Sequence, residues 1–309
     1  MLTSPVIRCL HQQVPDAQIH FATKKKFASL VSEDPRISKV HELDGNFSEF
    51  IQPLKAEKFD LIIDLHNNLR TMRIKMLLGV PSKSFHKLNF KKWLFVHQGW
   101  NTMPKEHIVE RYLKTCEHLG VVYDQQGLDF YFKADTELPT GLQKELPAKF
   151  AVYAIGGTYA TKKMPSHKIE ELLGKTTMPV VLIGDDKDKL VAEQFTQLPN
   201  AINACGMLTI AQSALLIQHS AFVVAHDTGM MHIAAALQKK VISIWGNTVP
   251  EFGMWPLFPS ALQQNFDIRA EVDGLGCRPC SKLGFNQCPK RHFYCMELQN
   301  TDEIAEKLV

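Results

Sequence analysis

The sequence predicts an α/β protein with parallel sheets, divided into two domains. Three observations carry that prediction. In residues 221–250, AFVVAHDTGMMHIAAALQKKVISIWGNTVP, a buried-strand run (222–224) leads through a polar turn into an Ala-rich helical segment (230–237) and a second apolar run (241–245). Lys239 and Lys240 close the helical segment as basic residues do at a helix C-terminus. Further apolar runs at 59–65 (FDLIIDL), 150–155 (FAVYAI) and 179–184 (PVVLIG) each lead into a polar loop, the alternation of an α/β chain. Finally, 309 residues at 45% hydrophobic and 22% charged suffice for two full cores.

Composition narrows the function classes. A net charge of +3 does not indicate nucleic acid. No apolar run approaches the length that spans a bilayer, and no signal peptide is visible at the start. Seven cysteines, an odd number, point to a reducing compartment, so the cytoplasm is expected.

In chain order, residues 1–14 read as a helix with Pro5 near its first turn, followed by a turn at Pro15-Asp16 and a strand at 18–22. Residues 31–40 read as a helix and loop, Asp44-Gly45 as a turn and 48–58 as a helix. The strand at 59–65 carries Asp64 near its C-terminal end, before His66-Asn67-Asn68 and Arg70. Residues 81–95, PSKSFHKLNFKKWLF, interleave lysines and His86 with aromatic and aliphatic side chains. That mixture suits contact with an anionic membrane, and equally a basic β-hairpin or loop packed on the domain. Residues 106–119 form an amphipathic helix ended by Gly120, with Ile108, Val109, Tyr112, Leu113, Cys116 and Leu119 on its apolar face. Residues 135–149, with Pro139, Gly141 and Pro147, read as the link between domains 1–147 and 148–309.

The second domain opens with the strand at 150–155 and the loop Gly156-Gly157-Thr158-Tyr159-Ala160-Thr161-Lys162-Lys163; Pro165 and Ser166 then start a helix. Glycines, hydroxyls and two lysines after a strand suit phosphate, and also suit a solvated loop; the P-loop pattern is absent. Asp186-x-Asp188 has the shape of a metal-binding pair, but lies between a strand and a helix, where Asp is a favoured cap. Residues 201–203 read as an edge strand, and Thr209 caps a helix at 210–218. In the turn His226-Asp227-Thr228-Gly229, Asp227 or Thr228 can cap the next helix and Gly229 allows close backbone approach. The free N–H groups of that helix favour an anion, so the turn reads as a diphosphate seat or as an ordinary capped helix. Cys277, Cys280, Cys288 and Cys295 could hold a structural zinc in an all-thiolate site. The first pair has knuckle spacing and the second does not, so a loop closing over the cleft competes with it. The chain closes on a helix at 301–308 capped by Thr301.

The stretch VVAHDTGMMHIAAALQKKVISIWGNTVP resembles the donor-binding signature of glycosyltransferase family 9, the heptosyltransferases of lipopolysaccharide core synthesis. Asp227, Thr228, Gly229, His232, Ala235, Gly246, Thr248 and Pro250 stand where that signature places them. The resemblance implies the GT-B fold, two Rossmann-like domains facing a cleft, with acceptor on the first and nucleotide sugar on the second. It implies inverting transfer of a heptose from ADP-heptose to a lipid-linked saccharide acceptor, without a metal requirement. Thr158, Lys162, Asp227, Thr228, Gly229 and His232 would serve the donor; Lys162 would neutralise its diphosphate, and Asp227 would cap the helix or accept from sugar hydroxyls. Met164 replaces the Trp usual in that loop. Arg70 and Arg111 would serve the acceptor; solvated and locally paired surface charge are the competing readings. The family's catalytic Asp lies in a first strand and Gly-Asp turn that would precede Met1, so no catalytic residue is assigned, and the first domain is expected to lack its opening strand. An acceptor that is an anionic lipid favours peripheral contact at the inner face of the inner membrane. A sugar-nucleotide epimerase of similar architecture and a non-catalytic paralogue lacking the base are the alternatives.

Overall fold

The computed structural model describes residues 1–308. The chain divides into two compact units, one of residues 1–88 with 106–133, the other of residues 89–105 with 134 onward.

The first unit opens with the helix Ser4–Gln13, which has Pro5 in its first turn, where a missing N–H costs nothing. β1 (Ile19–Lys24) and β2 (Ile37–Leu43) pair in parallel, Ala22 opposite His41. The expected helix and loop at 31–40 are therefore replaced: a short 3-10 turn, Lys25–Leu30, precedes, and β2 starts at Ile37. β2 does not alternate cleanly between buried and exposed positions, so it lacks the period-2 signal of a half-buried strand. The helix Phe47–Ala56 is capped by Asn46, which accepts the N–H groups of Ser48 and Glu49. Phe50, Ile51 and Leu54 are buried, packed with Leu43, Phe59, Ile74 and Leu78.

β3 (Ile62–Asp64) and β4 (Ser82–Ser84) form a second parallel pair. The basic-aromatic stretch is thus not a β-hairpin; it supplies β4 and then the helix Asn89–Gln98. The helix expected at 106–119 breaks into Ile108–Leu113 and a 3-10 turn, Glu117–Leu119. A buried ionic network ties this unit together. Arg8 pairs with Asp124 at 2.6 Å and with Asp129, and Asp129 also pairs with Arg36 at 2.8 Å.

The second unit holds β5 (Ala151–Ala154), β6 (Val180–Ile183), β7 (Ala201–Asn203), β8 (Phe222–His226), β9 (Lys240–Trp245) and β10 (Asp267–Glu271). All six are parallel, in the order β10-β9-β8-β5-β6-β7. The edge strand β10 carries no expectation from the sequence, whereas β5, β6, β8 and β9 fall on the apolar runs read there. Every residue of β5, β6 and β8 is buried, as strands covered on both faces require. Tyr153, Leu182, Val224 and Ile244 pack with Ile169, Leu172 and Leu173 in one core. Thr209 caps the helix Ile210–His219 in a reciprocal pair with Gln212. The cap of the last helix, Thr301–Glu306, is Asn300; Thr301 is buried and donates to the Glu171 carboxylate at 2.5 Å. Among the described residues no helix is long and apolar enough to cross a membrane.

The strand order matters for function. From β5 the chain runs outward through β6 to β7, then crosses back to β8 on the other side of β5. The order reverses between β5 and β8, and loops leaving the C-terminal ends of such a pair diverge, which opens a crevice for a ligand.

Candidate functional site

Two loops leave that switch point. The loop after β5 contains Gly156 and Gly157, then a 3-10 turn, Ala160–Lys162, and the helix Ser166–Lys175. The loop after β8 is Asp227-Thr228, leading into the helix Gly229–Ala236. They touch: a Cβ on Gly157 would lie 3.6 Å from Thr228 Cγ2. A Cβ on Gly156 would lie 2.5 Å from Asp188 Oδ2, so glycine is what fits there. The Asp188 side chain makes no cap bond to the helix that follows it. It pairs with Lys163 at 3.1 Å and accepts the Asp185 N–H.

The centre of the site is an ion pair. Lys162 Nζ lies 2.5 Å from Asp227 Oδ2 and 3.1 Å from the Asp227 carbonyl. Thr248 donates its hydroxyl to the same Oδ2 at 2.8 Å. Asp227 therefore does not cap the helix: its carboxylate is turned to Lys162 and Thr248, and no side chain caps that terminus. The reason is electrostatic. A buried carboxylate gains more from an ammonium and a hydroxyl than from a single N–H. Two of the three Nζ–H donors of Lys162 are spent on Asp227, which leaves one.

Polar atoms without a partner lie on the same loops and on the helix that follows β8. Thr228 Oγ1, His232 Nδ1 and both side-chain polar atoms of Asn247 are buried and make no hydrogen bond. Buried polar groups normally have partners, so a cluster of orphans beside a cation marks a ligand seat. Burial pushes the His232 imidazole down to about 4, against the pull of Asp227, so it is neutral at physiological pH. Gly229 is exposed and has open space at its Cα, while Thr158 is exposed on the β5 loop. The structure thus brings together Lys162, Asp227, Thr228 and His232, and leaves Thr158 and Gly229 at the rim of their loops.

Several positioning residues carried no signal in the sequence. His226 is fully buried, and the Met164 N–H donates to its Nε2 at 3.0 Å. Nε2 must then hold a lone pair, and burial keeps the ring neutral by lowering its pKa to about 3. His226 so fastens the Lys162 loop to the end of β8. Arg278 braces the Gly246–Thr248 turn, donating to the carbonyls of Gly246 at 2.6 Å and Thr248 at 3.1 Å. Both residues act across thirty or more positions of sequence, a distance no local pattern reports.

The cysteine-bearing segment packs on the same loop. Thr161 N–H donates to the Phe285 carbonyl at 3.1 Å, and Phe285 N–H to Thr161 Oγ1 at 2.8 Å. All seven cysteines are free thiols. Burial pushes Cys280 up to about 11 and Cys295 up to about 12. Among the described residues, only His20, His41 and Glu57 form a group of three or more potential metal ligands with donor atoms within 4.8 Å of one another.

In the other unit, Asp64 is buried and accepts the N–H groups of His66 and Asn67 at 3.0 and 2.7 Å. Burial alone would raise its pKa, but those bonds and Lys75 at 2.9 Å hold it below the usual carboxylate range. Asp64 thereby shapes the loop before the helix Leu69–Leu78, whose N-terminus is closed by a reciprocal cap between Asn68 and Thr71. Arg70 is exposed in the first turn of that helix. Arg111, on Ile108–Leu113, is only 4% exposed, so it is not the surface charge that helix spacing alone suggests.

Residues 47–271 match the sequence model of glycosyltransferase family 9 (heptosyltransferase). Lipooligosaccharide heptosyltransferase 2 of Haemophilus ducreyi is 32% identical over 275 residues, covering 79% of this chain and 78% of the relative. Lipopolysaccharide heptosyltransferase 3 of Escherichia coli is 26% identical over 285 residues, covering 80% of each. Among solved structures, the E. coli ADP-heptose lipopolysaccharide heptosyltransferase II superposes with a TM-score of 0.65 at 18% identity, over 99% of this chain and 95% of that one. The fold is of the GT-B class that the sequence resemblance implied.

Proposed function

This chain belongs to glycosyltransferase family 9, the heptosyltransferases, and on that premise we propose that it moves a heptose from ADP-heptose to a lipopolysaccharide core acceptor with inversion at the anomeric carbon. The observation that carries the reading is the Lys162–Asp227 pair, set among orphaned polar atoms at the switch point of the second unit. In the reaction an acceptor hydroxyl, giving up its proton to a general base, attacks the anomeric carbon while the bond to the diphosphate breaks and ADP leaves. Negative charge then grows on the departing ADP. The remaining Lys162 Nζ–H, the Thr228 hydroxyl and the uncapped N–H groups of Gly229–Ala236 are the donors for that charge. Asp227 holds Lys162 in place, and its own charge is balanced by Lys162 and Thr248, so it does not repel the diphosphate outright. Arg70 and Arg111 are assigned to an anionic acceptor.

The direct experiment is calorimetric titration of the protein with ADP, ADP-heptose, UDP and GDP. ADP and its heptose are expected to bind in preference to the others. Lys162→Ala is expected to weaken ADP binding by more than about tenfold, the loss of a charge-assisted phosphate contact. Preference for UDP, or unchanged affinity in the variant, would overturn the donor assignment.

The acceptor side of the proposal includes peripheral contact with an anionic membrane at the cytoplasmic face. On the helix Asn89–Gln98, Phe90 and Trp93 are 70% and 47% exposed and stack at 6.2 Å, with exposed Lys91 between them. Aromatic rings with interleaved cations suit an anionic headgroup layer. Trp93→Ser should reduce sedimentation with vesicles containing anionic lipid and leave ADP affinity unchanged; equal sedimentation would remove this surface from the proposal.

A further inference from the structure

We propose that His20, His41 and Glu57 form a binding site for a divalent transition-metal ion, unrelated to the donor seat. The three residues come from different elements: His20 from β1, His41 from β2, and Glu57 from the end of the helix Phe47–Ala56. His20 Nδ1 and His41 Nε2 lie 3.0 Å apart, and a Glu57 carboxylate oxygen is within 4.8 Å of both. Two ligands about 2.0–2.1 Å from one ion stand roughly 3 Å apart at a right angle, so the two nitrogens already have the spacing of a coordinated pair. Glu57 needs only a side-chain adjustment to join them.

The surroundings favour ligation. Phe59 meets both rings edge-on, at 5.2 and 6.1 Å between centroids, and so limits their rotation. His41 is buried at the base of the cluster, where the fold holds its ring in place. Lys39 pairs with Glu57 Oε1 at 2.5 Å, leaving the second carboxylate oxygen for the ion. His20 and Glu57 are half-buried, so water can complete the shell. Two imidazoles and one carboxylate select zinc, nickel, cobalt or copper over magnesium and calcium, which take oxygen ligands. Bound there, the ion would clip β1, β2 and the helix end together and raise stability by mass action.

The test uses the full chain stripped with chelator, in wild type and in a Cys277→Ser/Cys280→Ser background that removes the first pair of the C-terminal cysteine cluster as competing ligands. Cobalt binding is followed by absorption and zinc binding by calorimetry and thermal unfolding. A single equivalent should bind the Ser background without a thiolate-to-cobalt charge-transfer band, and zinc should raise the melting temperature. Glu57→Gln and His20→Gln, at positions open enough to tolerate change, should each weaken binding by more than about tenfold and abolish the thermal shift. No binding at micromolar metal would leave a plain histidine–histidine hydrogen bond and overturn the proposal. Binding that survives both substitutions, or that disappears with the cysteines, would overturn it equally.

Discussion

Asp227 shows how one residue decides what a local pattern cannot. A short carboxylate at the end of a buried strand fits a helix cap, and the sequence offers no way to see Lys162, 65 positions away, bonding it at 2.5 Å. The pair is nearly enclosed, with side chains 15% and 7% exposed. Removing one partner strands the other charge in a poor solvent, a cost of about 3 kcal/mol. Asp227→Ala should therefore lower the urea midpoint well beyond a surface substitution, while Asp227→Asn, which keeps an acceptor for Thr248, should cost less. Equal midpoints for Asp227→Ala and the native chain would mean the pair contributes nothing. His226 belongs to the same lesson: a histidine beside Asp-Thr-Gly looks like a polar turn residue, yet it is fully buried and holds the Met164 N–H.

Among the elements, the strands of the second unit were legible because burial on both faces leaves continuous apolar runs. In the first unit the same signal finds β3, within the apolar run at 59–65, but fails for β2 and β4. β2 mixes exposed Lys39 and Glu42 with buried His41, and β4 is three exposed residues, so neither shows a period. Loop positions depend on how closely elements approach. A Cβ on Gly246, after β9, would lie 2.9 Å from the Thr161 carbonyl and 2.5 Å from Met296 Cε. The methionine end can move, but the carbonyl is the backbone of the loop that carries Lys162. Gly246→Ala should cost about 1–3 kcal/mol by overpacking and weaken ADP binding by displacing that loop. Denaturant unfolding together with ADP titration checks both, and native affinity in a folded variant would show that the two loops are not coupled.

For the whole molecule, buried neutral histidines set the acid limit of stability. His226 and His232 have pKa values of about 3 and about 4, and that of His41 is also lowered. Unfolded, each takes up a proton near pH 6.5, whereas the folded chain protonates His226 and His232 only at far lower pH. The unfolded state thus binds more protons below pH 6.5, and stability falls with pH from there toward 4 by about 1.4 kcal/mol per pH unit for each such group. Asp64 and Asp124, whose folded pKa values are depressed, add a further loss as pH falls through the carboxylate range. Chemical denaturation between pH 7.5 and 4.5 should show a steadily falling unfolding free energy, and a flat profile down to pH 5 would contradict the burial of these rings.

The sequence by itself determined the α/β class, the parallel strands of the second unit and the family. These follow from short-range regularities: apolar runs, strand-end glycines and a contiguous signature of twenty-eight residues. Only the tertiary structure decided what those residues do to each other. The six-stranded order that puts the β5 and β8 loops side by side, the tether of Lys162 to Asp227, the bracing by His226 and Arg278, and the meeting of His20, His41 and Glu57 all join residues distant in the chain. Such pairings depend on strand order and close packing, and packing is a property of the folded chain that no local window of sequence contains.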